Sequence, residues 1–226
     1  MFDLGDLKLR RNTWVRAAGI PKHLIGWELS DCVEINSAVM AVVQDWISEV
    51  ADGKVIDAVG QYGTCGKGLA FYGEPGMGKT TFAVAVIQEM MRSMPLDIFT
   101  LNDNRPCYFI SYAALLDLKG ETMEGTTEER ETLYQGLFGE SDQDSRNVKI
   151  LIIDDVGKEH VSNSGWNRSM LHHILRTRFS NGLPTIVTSN IPLAKWGDMY
   201  GDATASFAHE AFRNIPLKSD RGDLRK

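Results

Sequence analysis

The stretch GEPGMGKT, residues 73–80, constrains the fold of this chain more than any other feature. It matches G-x-x-x-x-G-K-[ST] at every fixed position, and it lies between a short apolar run, Gly68–Tyr72, and a segment of helical pattern, Thr81–Met94, that Pro95 ends. The glycines of such a turn let backbone N–H groups approach an anion, and the positive end of the helix dipole points to the same place. A strand, a glycine turn and a helix in this order predict a phosphate-binding loop in an α/β fold.

We expect this loop to bind a nucleoside triphosphate. Lys79 would reach the β- and γ-phosphate oxygens, and the Thr80 hydroxyl would hold Mg²⁺. The residues of this segment that we expect to contact ATP are Gly73, Glu74, Pro75, Gly76, Met77, Gly78, Lys79, Thr80 and Thr81.

A second strand is predicted at residues 149–155, KILIIDD, where a continuous apolar run ends in two carboxylates. Such a run is typical of a strand that is buried on both faces of a parallel sheet. Asp154 would orient the magnesium ion, and Asp155 would act as the general base that activates water toward the γ-phosphate. The alternative for Asp155 is a polar residue at the edge of a loop.

A third strand is predicted at Pro184–Asn190, and it ends in the polar residues Thr188, Ser189 and Asn190. The carboxyl ends of parallel strands meet at one edge of a sheet, where ligands bind. Asn190 could therefore hydrogen-bond the attacking water or a γ-phosphate oxygen, although Asn is also common in turns. The predicted catalytic residues are Lys79, Asp154, Asp155 and Asn190.

Composition limits the partners of the chain. Its 226 residues carry a formal net charge of −6, which argues against coating nucleic acid by bulk electrostatics, so a DNA contact has to be local. The sequence has neither a long apolar span nor an apolar signal core, and its three cysteines are an odd number without metal-ligand spacing. We expect a cytoplasmic protein with no membrane contact. The predicted organisation is a basic N-terminal arm, residues 1–18, and one domain, residues 19–226.

One basic row is a candidate contact surface. Arg168, His172 and Arg176 are spaced four apart and share one face of a predicted helix. The row could contact single-stranded DNA or a neighbouring subunit, and a solvated face is the equally open alternative.

Three segments together resemble a known family. GLAFYGEPGMGKT, KILIIDDVGKE and PTIVTSNIPL follow one another in this order, with AAGIP at residues 17–21 upstream. They resemble the DnaC/DnaI-type replicative helicase loaders and the related IstB-type transposition helpers, both AAA+ ATPases. The resemblance implies an α/β P-loop NTPase of the AAA+ (ASCE) type, with a central parallel sheet flanked by helices and a helical lid that is absent or minimal. It matches residues 73–80 to Walker A, Asp154 and Asp155 to Walker B, and Asn190 to sensor 1, and it places Ile20 and Pro21 against adenine.

The sequence departs from the family pattern at several positions. The second Walker B acid is Asp155 rather than Glu, which implies slow hydrolysis. The segment at residues 205–208 lacks the arginine that reaches a neighbouring subunit's γ-phosphate, which leaves three other arginines as candidates for that role in trans: Arg213, Arg178 and Arg176. Arg225 is the candidate for the nucleotide-sensing arginine near the C-terminus.

The function implied by the resemblance is that of an ATP-dependent helicase loader in DNA replication. ATP and Mg²⁺ would drive self-assembly into a homo-oligomer and binding of single-stranded DNA and a replicative DNA helicase, and hydrolysis would drive release. The alternative is an IstB-type transposition helper that acts on duplex DNA. A P-loop small-molecule kinase and a nucleotide switch that does not hydrolyse ATP remain as further alternatives.

Overall fold

Five parallel strands form the centre of the protein in a computed structural model that describes residues 4–32, 36–56, 64–118, 127–157 and 166–218. In space the strands follow the order β2-β3-β4-β1-β5. This sheet and the helices on both of its faces confirm the predicted α/β fold with a central parallel sheet flanked by helices. The strands are β1 Gly68–Tyr72, β2 Cys107–Ser111, β3 Ile150–Val156, β4 Thr185–Ser189 and β5 Phe212–Pro216.

Eight α-helices occur within the described residues. They are α1 Leu4–Ala17, α2 Ser37–Ala51, α3 Lys79–Ser93, α4 Tyr112–Asp117, α5 Thr127–Phe138, α6 Trp166–Ser180, α7 Trp196–Tyr200 and α8 Asp202–Ala211. None of these helices combines the length and apolarity needed to cross a lipid bilayer.

The sheet separates two apolar cores because successive side chains of a strand point to opposite faces. On β3, Ile150 and Ile152 belong to one core, and Leu151 and Ile153 belong to the other. The first core contains buried residues of α1, α2 and α3, whereas the second contains those of α6, α7 and α8. Burial on both faces explains why the β3 sequence is a continuous apolar run.

Most predicted elements lie where the sequence pattern placed them. The apolar run at Gly68–Tyr72 forms strand β1 with the same bounds, and Asn36 caps α2 by accepting a hydrogen bond from the Ala38 N–H at 2.8 Å. Helix α3 begins at Lys79, two residues before its predicted start, because the loop turns directly into the helix at Gly78. Strand β5 and helices α7 and α8 were not predicted. For β5 the reason is that its short sequence, FRNIP, lacks a clear apolar alternation.

The N-terminal segment, which was predicted as a basic arm, forms helix α1 over Leu4–Ala17. Helix α1 packs on α3, and the Trp14 side chain is fully buried in the first core. Both Trp14 Nε1 and Arg10 donate hydrogen bonds of 2.8 Å to the Asp103 carbonyl, and Arg11 donates one of 3.1 Å to the Met94 carbonyl. Trp14 is the single aromatic residue of α1, and its burial anchors the helix to the core, which the charge pattern does not reveal.

Candidate nucleotide site at the carboxyl edge of the sheet

The loop at residues 73–80 joins the carboxyl end of β1 to the amino end of α3. Gly76 and Gly78 have φ values of 85° and 71°, a left-handed backbone conformation that L-residues other than glycine rarely adopt. Helix α3 starts directly after Gly78 and has no side-chain cap. Its first N–H groups therefore point toward the loop, as an anion site at a helix end requires.

Lys79 lies inside this loop rather than in solvent. Its side chain is 6% exposed, and Nζ donates hydrogen bonds to the carbonyls of Gly73 at 2.8 Å and Glu74 at 2.7 Å. A positive charge is thus fixed at the turn, next to the amino end of α3. This arrangement concentrates the attraction for a phosphate group at one point.

Thr80 and Asp154 meet across the gap between α3 and β3. The Thr80 hydroxyl donates a hydrogen bond of 2.8 Å to Asp154 Oδ1, and Asp154 is 7% exposed. The hydroxyl uses its hydrogen in this bond to the carboxylate, and its oxygen keeps lone pairs for a cation. Magnesium prefers hard oxygen ligands and is held in nucleotide sites by one or two carboxylates together with phosphate oxygens. The Thr80 hydroxyl and the Asp154 carboxylate are oxygen ligands of the kind that Mg²⁺ prefers.

Asp155 occupies an unusual backbone conformation directly after Asp154. Its φ is +60°, the only positive value of a non-glycine residue among the described parts of the chain. Its N–H donates a hydrogen bond of 2.9 Å to the Thr188 hydroxyl of β4. A strained residue at a sheet edge that already carries a buried carboxylate is typical of a functional site.

Asn190 follows the end of β4 at the same edge. Its Oδ1 is buried and has no hydrogen-bond partner among the described residues. Buried polar atoms are nearly always paired, so an unpaired one needs an explanation. An external donor such as a water molecule would satisfy this oxygen.

A cavity of about 530 Å³ opens beside Thr80 and Asp154. Pro21 lines this cavity, whereas Ile20 is 7% exposed and packs in the first core. Gly19 fixes the path of this segment: its φ is +67°, and a Cβ there would lie 2.7 Å from the Phe109 carbonyl oxygen. The cavity is lined by Gly19, Pro21, His23, Leu24, Thr80, Tyr108, Phe109, Ile110, Ser111, Ala114 and Asp154. Contact of Ile20 and Pro21 with adenine stays a prediction.

Arg178 was predicted as a candidate to act in trans, but its side chain is fully buried. The guanidinium donates to the carbonyls of Leu137, Val148, Lys149 and Pro184 and to the Thr185 hydroxyl, at 2.6–3.1 Å. Burial lowers the pKa of Arg178 to about 9, so the group is still charged at pH 7. A side chain enclosed in this way cannot reach a neighbouring subunit, and its role is to join the amino ends of β3 and β4 to α5.

The two other candidate arginines are differently placed. Arg213 on β5 forms an ion pair with Glu49 of α2. Arg176 is exposed on α6, and its guanidinium carbon lies 4.7 Å from the centre of the Phe207 ring. The predicted sensing residue Arg225 lies outside the described residues.

The basic row on α6 is partly engaged in contacts within the chain. Arg176 Nε donates to His172 Nε2 at 3.0 Å, and His172 Nδ1 lies 3.1 Å from the Thr204 hydroxyl. Because Nε2 accepts this bond, the His172 ring is neutral. Burial is the main cause that lowers the pKa of His172, and the positive charge of Arg176 lowers it further. Arg168 is exposed. The positive charge of this face therefore comes from the two arginines and not from the histidine.

The parallel sheet, the loop and the Thr80–Asp154 pair define the class of the protein: it is a P-loop AAA+ nucleotide-binding protein. Residues 51–209 match the family described as IstB-like ATP binding protein, and this chain belongs to that family. No curated protein gives a significant match to the sequence.

Solved structures of similar fold include proteins of DNA replication. A DnaC helicase loader superposes with a TM-score of 0.59 at 23% identity, and the match covers 88% of this chain and 100% of that one. DnaI gives 0.57 at 20% identity, with 88% and 95% covered. The replication initiator DnaA bound to AMPPCP and single-stranded DNA gives 0.56 at 14% identity, with 94% and 51% covered. At these identities the likeness concerns the fold.

Proposed function

We propose that the protein is an ATP-dependent helicase loader that acts in DNA replication. ATP binding drives its self-assembly and its binding to single-stranded DNA and a replicative helicase, and hydrolysis drives release. The observation that carries the proposal is the convergence of Lys79, Thr80, Asp154 and the unpaired Asn190 Oδ1 at one sheet edge. The family and the helicase loaders of similar fold support this function.

Each polar residue of the edge has a separate task in the proposed reaction. Lys79 and the loop N–H groups would bind the β- and γ-phosphates. Thr80 and Asp154 would hold Mg²⁺, which would supply positive charge to the phosphate oxygens. Asp155 accepts a proton from the attacking water. Asn190 Oδ1 accepts the other hydrogen bond of that water and so orients it. The side chain of Asp155 is shorter than that of the Glu usual at this position, so we expect slow turnover.

ATP can control assembly because it makes contacts that ADP cannot make. The γ-phosphate would add contacts to Lys79 and to a magnesium ion held by Thr80 and Asp154. This difference in binding free energy between ATP and ADP would shift the protein between two states. The triphosphate thus acts as a signal for assembly and release. Among the candidate arginines, Arg178 is enclosed in the core, which leaves Arg213 and Arg176 as candidates to contact the γ-phosphate of a neighbouring subunit.

The IstB-like family match supports a second candidate function. A transposition helper would use the same ATPase core on duplex DNA and would contact a transposase. The two functions predict different nucleic-acid effectors.

The first experiment is steady-state ATP hydrolysis by the purified protein at low salt, with no nucleic acid, with single-stranded DNA and with duplex DNA. The loader function predicts slow basal turnover that single strands stimulate and duplex does not. Stimulation by duplex alone would favour the transposition helper. No turnover under any of these conditions, with the replicative helicase also present, would contradict the ATPase proposal.

We expect the two arginines of the basic row on α6 to contribute to DNA affinity by neutralising phosphates. In Arg168→Ala and Arg176→Ala, affinity for single-stranded DNA should fall by a similar factor for different sequences. The slope of log affinity against log salt should also become shallower by about 0.7 for each phosphate that is no longer neutralised. Fluorescence anisotropy with a labelled oligonucleotide at several salt concentrations measures both quantities.

The control for this prediction is Arg92→Ala. Arg92 is an arginine of α3 that pairs with Glu28 and Glu89 within the chain. Unchanged affinity and slope in Arg168→Ala and Arg176→Ala, as in Arg92→Ala, would exclude the α6 row as the DNA-binding surface.

A further inference from the structure

The pairing of β3 with β4 is irregular at one point. The ladder is regular up to Ile153 and resumes at Val156. Between these positions two residues of β3, Asp154 and Asp155, lie opposite the single residue Thr188 of β4. This two-against-one arrangement is a β-bulge, a feature that re-aims a side chain next to many active sites. The two carboxylates follow each other at the place where the ladder is interrupted.

The Thr188 hydroxyl contacts both residues of the bulge. It donates a hydrogen bond of 2.6 Å to Asp154 Oδ1 and accepts one of 2.9 Å from the Asp155 N–H. Its side chain is fully buried, so both bonds are shielded from water. One hydroxyl therefore fixes the orientation of one carboxylate and the backbone of the next.

The backbone of Asp155 needs this support. A non-glycine residue in a sparsely populated region costs about 1–3 kcal/mol, and such a conformation persists only when its surroundings impose it. In a regular parallel ladder a carbonyl of the neighbouring strand would accept the N–H, whereas here a side-chain oxygen accepts it. Valine has nearly the shape of threonine and would fill the same space, but it could neither accept this bond nor hold Asp154.

We propose that Thr188 is a positioning residue that sets the two acidic residues for ATP hydrolysis. Because it is buried, it acts through Asp154 and Asp155 and does not itself touch the nucleotide. Loss of its hydroxyl would release the Asp154 carboxylate from one of its two hydroxyl donors and allow the bulge to relax. This inference rests on the proposed function, since it assumes that the two carboxylates act on bound ATP.

The variant that tests the proposal is Thr188→Val, and Thr188→Ser is the rescue variant because it keeps the hydroxyl. Thr185→Val is the matched control. Thr185 is a threonine of the same strand that is 3% exposed, and its hydroxyl accepts a bond from Arg178 instead of contacting the acids. Thermal unfolding of each variant shows whether it is folded.

The first measurement is the hydrogen-exchange rate of the Asp155 amide by NMR, without nucleotide or metal. Thr188→Val should exchange about five- to ten-fold faster, the factor for one missing hydrogen bond, while Thr188→Ser and Thr185→Val should exchange at the wild-type rate. Wild-type protection of this amide in Thr188→Val would overturn the proposal. If Thr188→Val does not fold, Thr188→Cys takes its place, because a thiol is a weaker donor and acceptor than a hydroxyl. The Asp155 amide should then also exchange faster than in the wild type.

The second measurement compares ATP affinity in Mg²⁺ with ATP affinity in EDTA, together with kcat and KM. In Thr188→Val, the gain in affinity from Mg²⁺ and the value of kcat should fall by about 10- to 100-fold, as when a partner of a metal ligand is removed. Affinity in EDTA should stay unchanged, and Thr188→Ser should restore all values to within about three-fold of wild type. Equal losses in Thr188→Ser and Thr188→Val would mean that the hydroxyl is irrelevant.

The two measurements separate failure of this proposal from failure of the proposed function. If the wild-type protein neither binds nor hydrolyses ATP, the proposed function is wrong whatever Thr188 does. Faster exchange of the Asp155 amide in Thr188→Val would then show that Thr188 only supports the local structure, and its proposed role in the reaction would be overturned. If the wild-type protein hydrolyses ATP and Thr188→Val does so equally well, the proposed function stands and the positioning role is rejected.

Discussion

Replacement of Lys79 by Ala is expected to lower the rate of ATP hydrolysis by at least about 100-fold, the usual cost of removing one preorganised charge donor from a transition state. The buried ammonium is held at the turn by two loop carbonyls, next to the amino end of α3. Alanine removes the charge and leaves those carbonyls without this donor. Both changes weaken the phosphate site, so ATP affinity should fall as well.

Two measurements check this prediction. Steady-state turnover gives the rate, and the rise of the unfolding temperature with added ATP reports binding, since a ligand at 100 times its Kd stabilises a protein by about 2.7 kcal/mol. Lys54→Ala is the control, because Lys54 is exposed and pairs with Asp52 at the end of α2. Normal ATP binding and hydrolysis in Lys79→Ala would refute the assignment of residues 73–80 as the nucleotide site.

Replacement of Arg178 by Met is expected to destabilise the whole protein by about 3–5 kcal/mol, which is the cost of breaking a buried network that contains a charge. Methionine can fill the space, but four carbonyls and the Thr185 hydroxyl would lose their donor inside the core. Each buried acceptor left without a partner carries a desolvation penalty of about 1–3 kcal/mol. Urea unfolding, monitored by circular dichroism, measures the change in the free energy of unfolding.

The matched control is Arg168→Met in the same helix, where the side chain is exposed and a change within about 0.5 kcal/mol is expected. Arg178→Lys should also be strongly destabilised, because an ammonium group cannot serve five acceptors in the geometry of a guanidinium. If Arg178→Met had wild-type stability but lost only the dependence of turnover on protein concentration, Arg178 would be acting in trans after all.

The candidate site was largely predictable because its parts are local in sequence. A phosphate loop needs residues at fixed spacing between one strand and one helix, and residues 73–80 satisfy that spacing. The strand at residues 150–156 is buried on both faces, and this burial is visible in the sequence as an apolar run that ends in carboxylates. Once the sheet is parallel, the ends of such strands must meet at one edge, which is why Asn190 could be placed there.

Functions of single polar side chains were harder to predict from spacing. Arg176 and Arg178 lie two positions apart on α6, and both were candidates for contact with another subunit. On a helix this separation turns the side chains to different faces, so Arg178 enters the core while Arg176 faces solvent. Likewise, the charge of the N-terminal segment suggested an arm, whereas burial of Trp14 makes it a helix packed on the core.

The sequence by itself determined a phosphate-binding loop in an α/β fold, because the loop, the apolar strands and their terminal acids each follow from a local pattern with a direct physical cause. Only the tertiary structure decided which polar groups share a hydrogen bond. Thr188 and the two acids are more than thirty residues apart in the chain, and their contact depends on a bulge between two strands that no local pattern encodes. Burial of Arg178 depends in the same way on carbonyls from several elements, and such long-range pairings form only when the sheet and its helices have packed.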